Sequence, residues 1–93
     1  MKDKIKTLLE ETFAPAELQV IDQGHKHRNH PEAKKHGGGH FDVFIVSDSF
    51  KGQNQLTRHR AVYSAVQTLI DEGHIHALSI KAHTPYEWSQ HNV

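Results

Sequence analysis

Ile5, Leu8, Leu9 and Phe13 recur at helical spacing and predict an amphipathic helix over residues 3–13. Asp3 is its expected N-cap, and Pro15 ends it by disfavouring helical geometry at Ala14. The period then changes. Leu18, Val20 and Asp22 alternate with Ile21 on the opposite side, which predicts a strand over 17–23. The most apolar run is Phe41 to Val46. Phe41, Val43 and Ile45 face one way, and Asp42, Phe44 and Val46 the other, so both faces are largely apolar and a central strand is expected. Residues 48–52 read as a turn. From about 57 to 72 the helical period returns in Val62, Ala65, Val66, Leu69 and Ile70, with Thr57 as expected cap and Gly73 as stop. Leu78 and Ile80 point inward from a third strand over 77–81. Thr84 and Pro85 open a last short helix, whose Tyr86 and Trp88 are expected to cover the sheet.

The order is α-β-β-α-β-α, and periodicity leaves open whether residues 52–56 add a separate short helix. Strands one and two are expected to be antiparallel, and the helix before strand three permits a parallel crossover. The expected architecture is an α+β fold: a three-stranded mixed sheet with helices on one face. A chain of 93 residues makes one domain, 1–93. Between the first two strands, residues 24–39 are polar, aperiodic and end in Gly37-Gly38-Gly39. Loops of this length inside a compact domain are usually functional or disordered.

Composition narrows the chemistry. Eleven Lys and Arg balance eleven Asp and Glu, which excludes a nucleic-acid binder working by bulk charge. The absence of cysteine excludes disulfides, thiolate zinc sites, a cysteine nucleophile and an iron–sulfur cluster held by the chain's own thiolates. Ten histidines are scattered from His25 to His91 and never run consecutively, unlike a purification tag. No segment is apolar enough to span a membrane, and the N-terminus lacks an apolar signal core, so a cytoplasmic location and no membrane partner are expected.

Two His-x-His pairs, His25/His27 and His74/His76, place imidazoles on one side of an extended chain. Imidazole suits zinc, copper, nickel and iron. Solvated loop histidines with a structural His76 would give the same spacing, and neither pair matches a four-ligand zinc signature. Arg58 and Arg60 open the main helix, where unpaired N–H groups can hold a phosphate. A solvated first turn paired with Asp48 or Asp71 is the other reading. Lys34, Lys35 and Lys51 are candidates to join Arg58 and Arg60 in a basic strip, although the zero net charge argues against a strong patch. The glycine run lacks the spacing of a phosphate-binding loop. No serine has a nucleophile-elbow context, so no catalytic residue is assigned.

Several short motifs occur in order: Asp22-x-x-His25-x-His27-x-x-His30, His40-Phe41, Ile45-Val46-Ser47-Asp48-x-Phe50-x-Gly52, Arg58-His59-Arg60-x-Val62-Tyr63, Ile75-His76-Ala77-Leu78 and Thr84-Pro85-x-Glu87-Trp88. Together they resemble the BolA-like family along nearly the whole chain. The resemblance implies a class II KH-like fold, α-β-β-α-α-β-α, with an extra short helix before residue 57. It also implies a non-enzymatic adaptor with no small-molecule substrate. BolA-like proteins pair with a monothiol glutaredoxin and share a [2Fe–2S] cluster, one side of which the glutaredoxin cysteine and glutathione hold. A histidine at the start of strand three, here His76, is the implied ligand from this chain. The second comes from the loop after strand one; alignment from Asp22 gives His27, with His25 and His30 as competitors. Imidazoles in place of thiolates would make such a cluster less negative.

The family's link to transcriptional control implies DNA as the alternative partner, with Lys51, Arg58 and Arg60 as contacts. The G-x-x-G clamp of KH modules is missing, since the connection near Gln53-Asn54-Gln55 has only Gly52. His40 and His59 match family positions, where structural hydrogen bonding or partner contact is expected. His36, His83 and His91 receive no role.

Overall fold

The computed structural model describes residues 1–23 and 39–91. The order is α1 (Lys2–Phe13), β1 (Glu17–Asp22), β2 (Gly39–Val46), a 3₁₀ turn (Asp48–Phe50), α2 (Gln55–Ala65), α3 (Gln67–Asp71), β3 (Ile75–His83) and α4 (Pro85–His91). The sheet order is β1-β2-β3. The first pair is antiparallel and the second parallel, as the pattern predicts.

The alternation of β2 decides the layers. Phe41, Val43 and Ile45 are buried on the face that also holds Val20, Ile80 and Ala82. Ile5, Leu9 and Phe13 from α1, Val62 from α2 and Leu69 from α3 join the same cluster. The Ser47 hydroxyl ties two elements together: it donates to the Phe13 carbonyl at 2.8 Å and accepts from the Ser49 N–H at 3.0 Å. The end of α1 is thereby fixed to the end of β2.

The helix ends differ from the sequence reading in instructive ways. Met1, not Asp3, is the N-cap of α1; Asp3 lies in the first turn, where its charge still complements the helix dipole. Asn54, not Thr57, caps α2, its side-chain oxygen accepting from the Thr57 N–H at 2.9 Å. The main helix is not continuous to 72. Val66, fully buried, leaves helical geometry at φ −114° and ψ 16° and separates α2 from α3. No separate short helix occupies 52–56: a 3₁₀ turn spans Asp48–Phe50, residues 52–54 lie outside any helix, and α2 already begins at Gln55.

Gly73 is the predicted stop. It adopts φ 81°, its N–H reaches the Ile70 carbonyl, and the His74 N–H reaches the Leu69 carbonyl. This is a Schellman closure, which glycine adopts without a steric penalty. It hands the chain directly to β3, which starts at Ile75 and is longer than the predicted 77–81.

Trp88 on α4 packs edge-on against Phe44 at 4.7 Å between ring centroids, with His83 beside both. Trp88 therefore covers one end of the sheet's second face. Tyr86 does not; it is 73% exposed. Along the outer edge of β3, the Tyr63 hydroxyl donates to the Leu78 carbonyl, and Arg58 and Gln55 donate to the Ala82 carbonyl. Among the described residues, no helix is long and apolar enough to cross a membrane.

Candidate functional site

The register between β2 and β3 slips at one point. Gly39 pairs with Ile75, but His40 pairs with Ala77. His76 is therefore the extra residue of a β-bulge, a device that re-aims a side chain at a strand end. Ile75, just before it, is buried in the core, whereas His76 is exposed. The re-aimed ring stacks on His40, with centroids 5.3 Å apart and planes inclined by 27°.

The backbone around this pair is held closely. The His40 carbonyl accepts from the Gln23 N–H at 2.8 Å, and the Gly39 N–H donates to the His74 carbonyl at 3.1 Å. Gln23 also donates from its side chain to Asp42 at 2.6 Å. Gly39 has a steric reason to be glycine: a Cβ there would lie 2.6 Å from the Phe41 ring, which is locked in the core. The chain thus leaves β1 at Gln23, hydrogen-bonded to His40, and enters β2 at Gly39, hydrogen-bonded to His74. His25, His27 and His30 fall outside the described residues, as does His36. Among the described residues, no three His, Asp or Glu side chains converge as a metal cage.

A second cluster surrounds Arg58, and it overturns both sequence readings of that residue. Arg58 is 4% exposed, not in a solvated first turn. Its guanidinium grips Glu87 with two hydrogen bonds, 2.6 and 2.9 Å, and donates to the carbonyls of Gln53 and Ala82. A guanidinium engaged on all these sides is not available to a phosphate. Its pairing partner is Glu87, not Asp48 or Asp71. Glu87 in turn closes a capping box: it accepts from the Thr84 N–H, and the Thr84 hydroxyl accepts from the Glu87 N–H. Arg58 first, then the Thr84 N–H, lower the Glu87 carboxyl from 4.5 to about 2, and the same pairing raises Arg58. Arg60 and Lys51 remain exposed.

Sequence reasoning missed the contact of His40 with His76. The signal available was two histidines opening the two strands of a parallel pair; the bulge that brings the rings together has no sequence signature. It also missed Glu87, although Thr84-x-x-Glu87 has the spacing of a capping box.

Known proteins agree with this architecture. Residues 9–87 match the family described as BolA-like protein. The chain is 40% identical over 94 residues to a Vibrio cholerae protein named DNA-binding transcriptional regulator BolA, covering 99% of this chain and 82% of that one. It is 39% identical over 88 residues to SufE-like protein 1, chloroplastic/mitochondrial, of Arabidopsis thaliana, and spans only 24% of that longer protein. A crystal structure of a bol-like protein from Babesia bovis superposes with a TM-score of 0.81 at 30% identity, covering all of this chain and 94% of the other. Fold, motif order and relatives converge, and the chain belongs to the BolA-like family.

Proposed function

We propose that this chain is a non-enzymatic adaptor that shares a [2Fe–2S] cluster with a monothiol glutaredoxin in iron–sulfur trafficking and iron regulation. The observation that carries this reading is the bulge: it makes His76 an exposed imidazole on a rigid strand start, beside the two ends of the histidine-rich segment. A chain without cysteine has neutral nitrogen donors to offer, and imidazole is an accepted ligand of iron. His76 is one ligand, and the second is His27 from the segment between β1 and β2, with His25 and His30 as competitors. The cluster would supply a redox-active, transferable iron–sulfur unit. What this chain contributes is orientation, since the sheet hydrogen bonds at Gln23, Gly39 and His40 fix the backbone from which His76 projects.

The test is anaerobic reconstitution with a monothiol glutaredoxin, glutathione, iron and sulfide, followed by visible absorption and circular dichroism. A spectrum distinct from that of the glutaredoxin alone is expected, abolished in His76→Ala and altered in His27→Ala. A spectrum that never departs from the glutaredoxin's own removes the proposal.

A second reading, direct DNA binding, rests on the name of the Vibrio cholerae relative. With Arg58 engaged by Glu87, Lys51 and Arg60 are the remaining contacts. Binding to a duplex should fall steeply with salt, and the slope should flatten by about two in a Lys51→Ala/Arg60→Ala double variant. An unchanged slope assigns the contact elsewhere.

A further inference from the structure

Coordination and stacking use different parts of an imidazole. A metal takes a nitrogen lone pair, which lies in the ring plane and points out from the edge; stacking takes the π face. The His40 and His76 rings lie one over the other, with centroids 5.3 Å apart and planes inclined by 27°. Lone pairs held in nearly parallel planes do not converge, so His40 is no second donor to a metal bound by His76. What His40 offers is a surface, and it leaves the edge of the His76 ring uncovered. That surface is fixed. The His40 carbonyl accepts from the Gln23 N–H at 2.8 Å, and the adjoining Phe41 is 3% exposed in the core. His40 is half-buried, whereas His76 is exposed. A bulge residue has no ladder partner of its own, and an exposed histidine has several staggered rotamers open to it. The bulge therefore brings His76 to the surface without choosing its rotamer, and the ring of His40 against one face favours the rotamer that keeps the contact.

We propose that His40 is a positioning residue for His76: its ring, stacked on one imidazole face, holds the other histidine's edge toward an incoming cluster. The proposal rests on the reading of His76 as a cluster ligand and adds to it a residue that touches no metal. Ordering the donor before binding removes part of the rotamer cost of ligation. The contact is one of ring faces, so an aromatic ring without nitrogen serves the same purpose.

The test has two arms, each run on the wild type, His40→Ala and His40→Phe, with far-ultraviolet circular dichroism to confirm that every variant folds. In the full chain alone, without iron or sulfide, three-bond NMR couplings to the His76 β-protons report its χ1 rotamer. One dominant rotamer is expected in the wild type and in His40→Phe, and averaged couplings in His40→Ala. In the complex reconstituted with a monothiol glutaredoxin, glutathione, iron and sulfide, loss of the cluster to an external iron chelator is timed. His40→Ala should lose it about three- to tenfold faster, the population change that one aromatic contact supports, and His40→Phe should stay within about twofold of the wild type. Averaged couplings in the wild type, unchanged couplings or lifetime in His40→Ala, or a His40→Phe as labile as His40→Ala overturns the proposal. The last result would make the His40 nitrogens, not its ring face, the feature that matters. The cluster reading is judged separately. A wild type that gives only the glutaredoxin's own spectrum removes that reading and this role with it, whereas a distinct wild-type spectrum beside averaged His76 couplings removes this role alone.

Discussion

The Arg58–Glu87 pair offers a stability prediction whose size follows from the geometry. The guanidinium makes four hydrogen bonds of 2.6–3.1 Å, two to Glu87 and one each to the Gln53 and Ala82 carbonyls. Arg58→Met keeps the aliphatic stem and removes every donor, leaving two carbonyls and a carboxylate poorly satisfied. The expected cost is about 3–4 kcal/mol. Glu87→Gln removes the charge alone. A carboxyl held at about 2 instead of 4.5 corresponds to at most about 3 kcal/mol. The Glu87 side chain is 42% exposed, so solvent screening reduces this to about 1–2 kcal/mol.

Urea unfolding of the wild type, both single variants and the double variant should give a coupling energy of about 1–2 kcal/mol at pH 7. The pH dependence has a definite sign. Glu87 titrates lower when folded than when unfolded, so its contribution is complete above about 4.5 and lost as pH falls through about 2. The stability gap between wild type and Glu87→Gln should therefore be flat from pH 7 to 5 and close toward pH 2. A coupling below about 0.5 kcal/mol, or a gap that widens on acidification, would refute the assignment of Arg58 as the anchor of α4.

Two other substitutions probe the frame of the histidine site and the core. Gly39→Ala should destabilise by about 1–3 kcal/mol through its clash with the Phe41 ring; an unchanged urea midpoint contradicts this. Ser47→Ala should cost about 1–2 kcal/mol by leaving the buried end of α1 without its hydroxyl donor, a loss visible in thermal unfolding. No change in the unfolding curve would mean that the Ser47–Phe13 bond does not tie the two elements.

The α+β order, the central position of β2 and the stop at Gly73 were legible because each follows from period or from a residue with one conformational use. The break at Val66 was not, because Val62, Val66 and Leu69 satisfy a continuous helical stripe equally well. The caps shifted for a related reason: Thr57 and Asn54 are both competent caps by residue type, and in the structure Asn54 begins the helix by accepting from the Thr57 N–H. His76 was singled out by resemblance and by its His-x-His pair, but its contact with His40 depends on a register slip. Arg58 was misread because local sequence shows a charged first turn, and only the arrival of Glu87, twenty-nine positions later, reveals that the charge is internal.

The side chains along β3 bear on what this protein does when concentrated. Tyr63 occupies the Leu78 carbonyl, and Arg58 and Gln55 occupy that of Ala82, so an incoming strand finds the outer hydrogen-bonding row of β3 interrupted. β1 lies at the other margin of the sheet. Sheet-to-sheet growth needs two open margins, one to accept and one to pass on. With β3 blunted, strand pairing between copies can join β1 to β1 and must then stop, which limits self-association through the sheet to a closed pair and denies it the polymer.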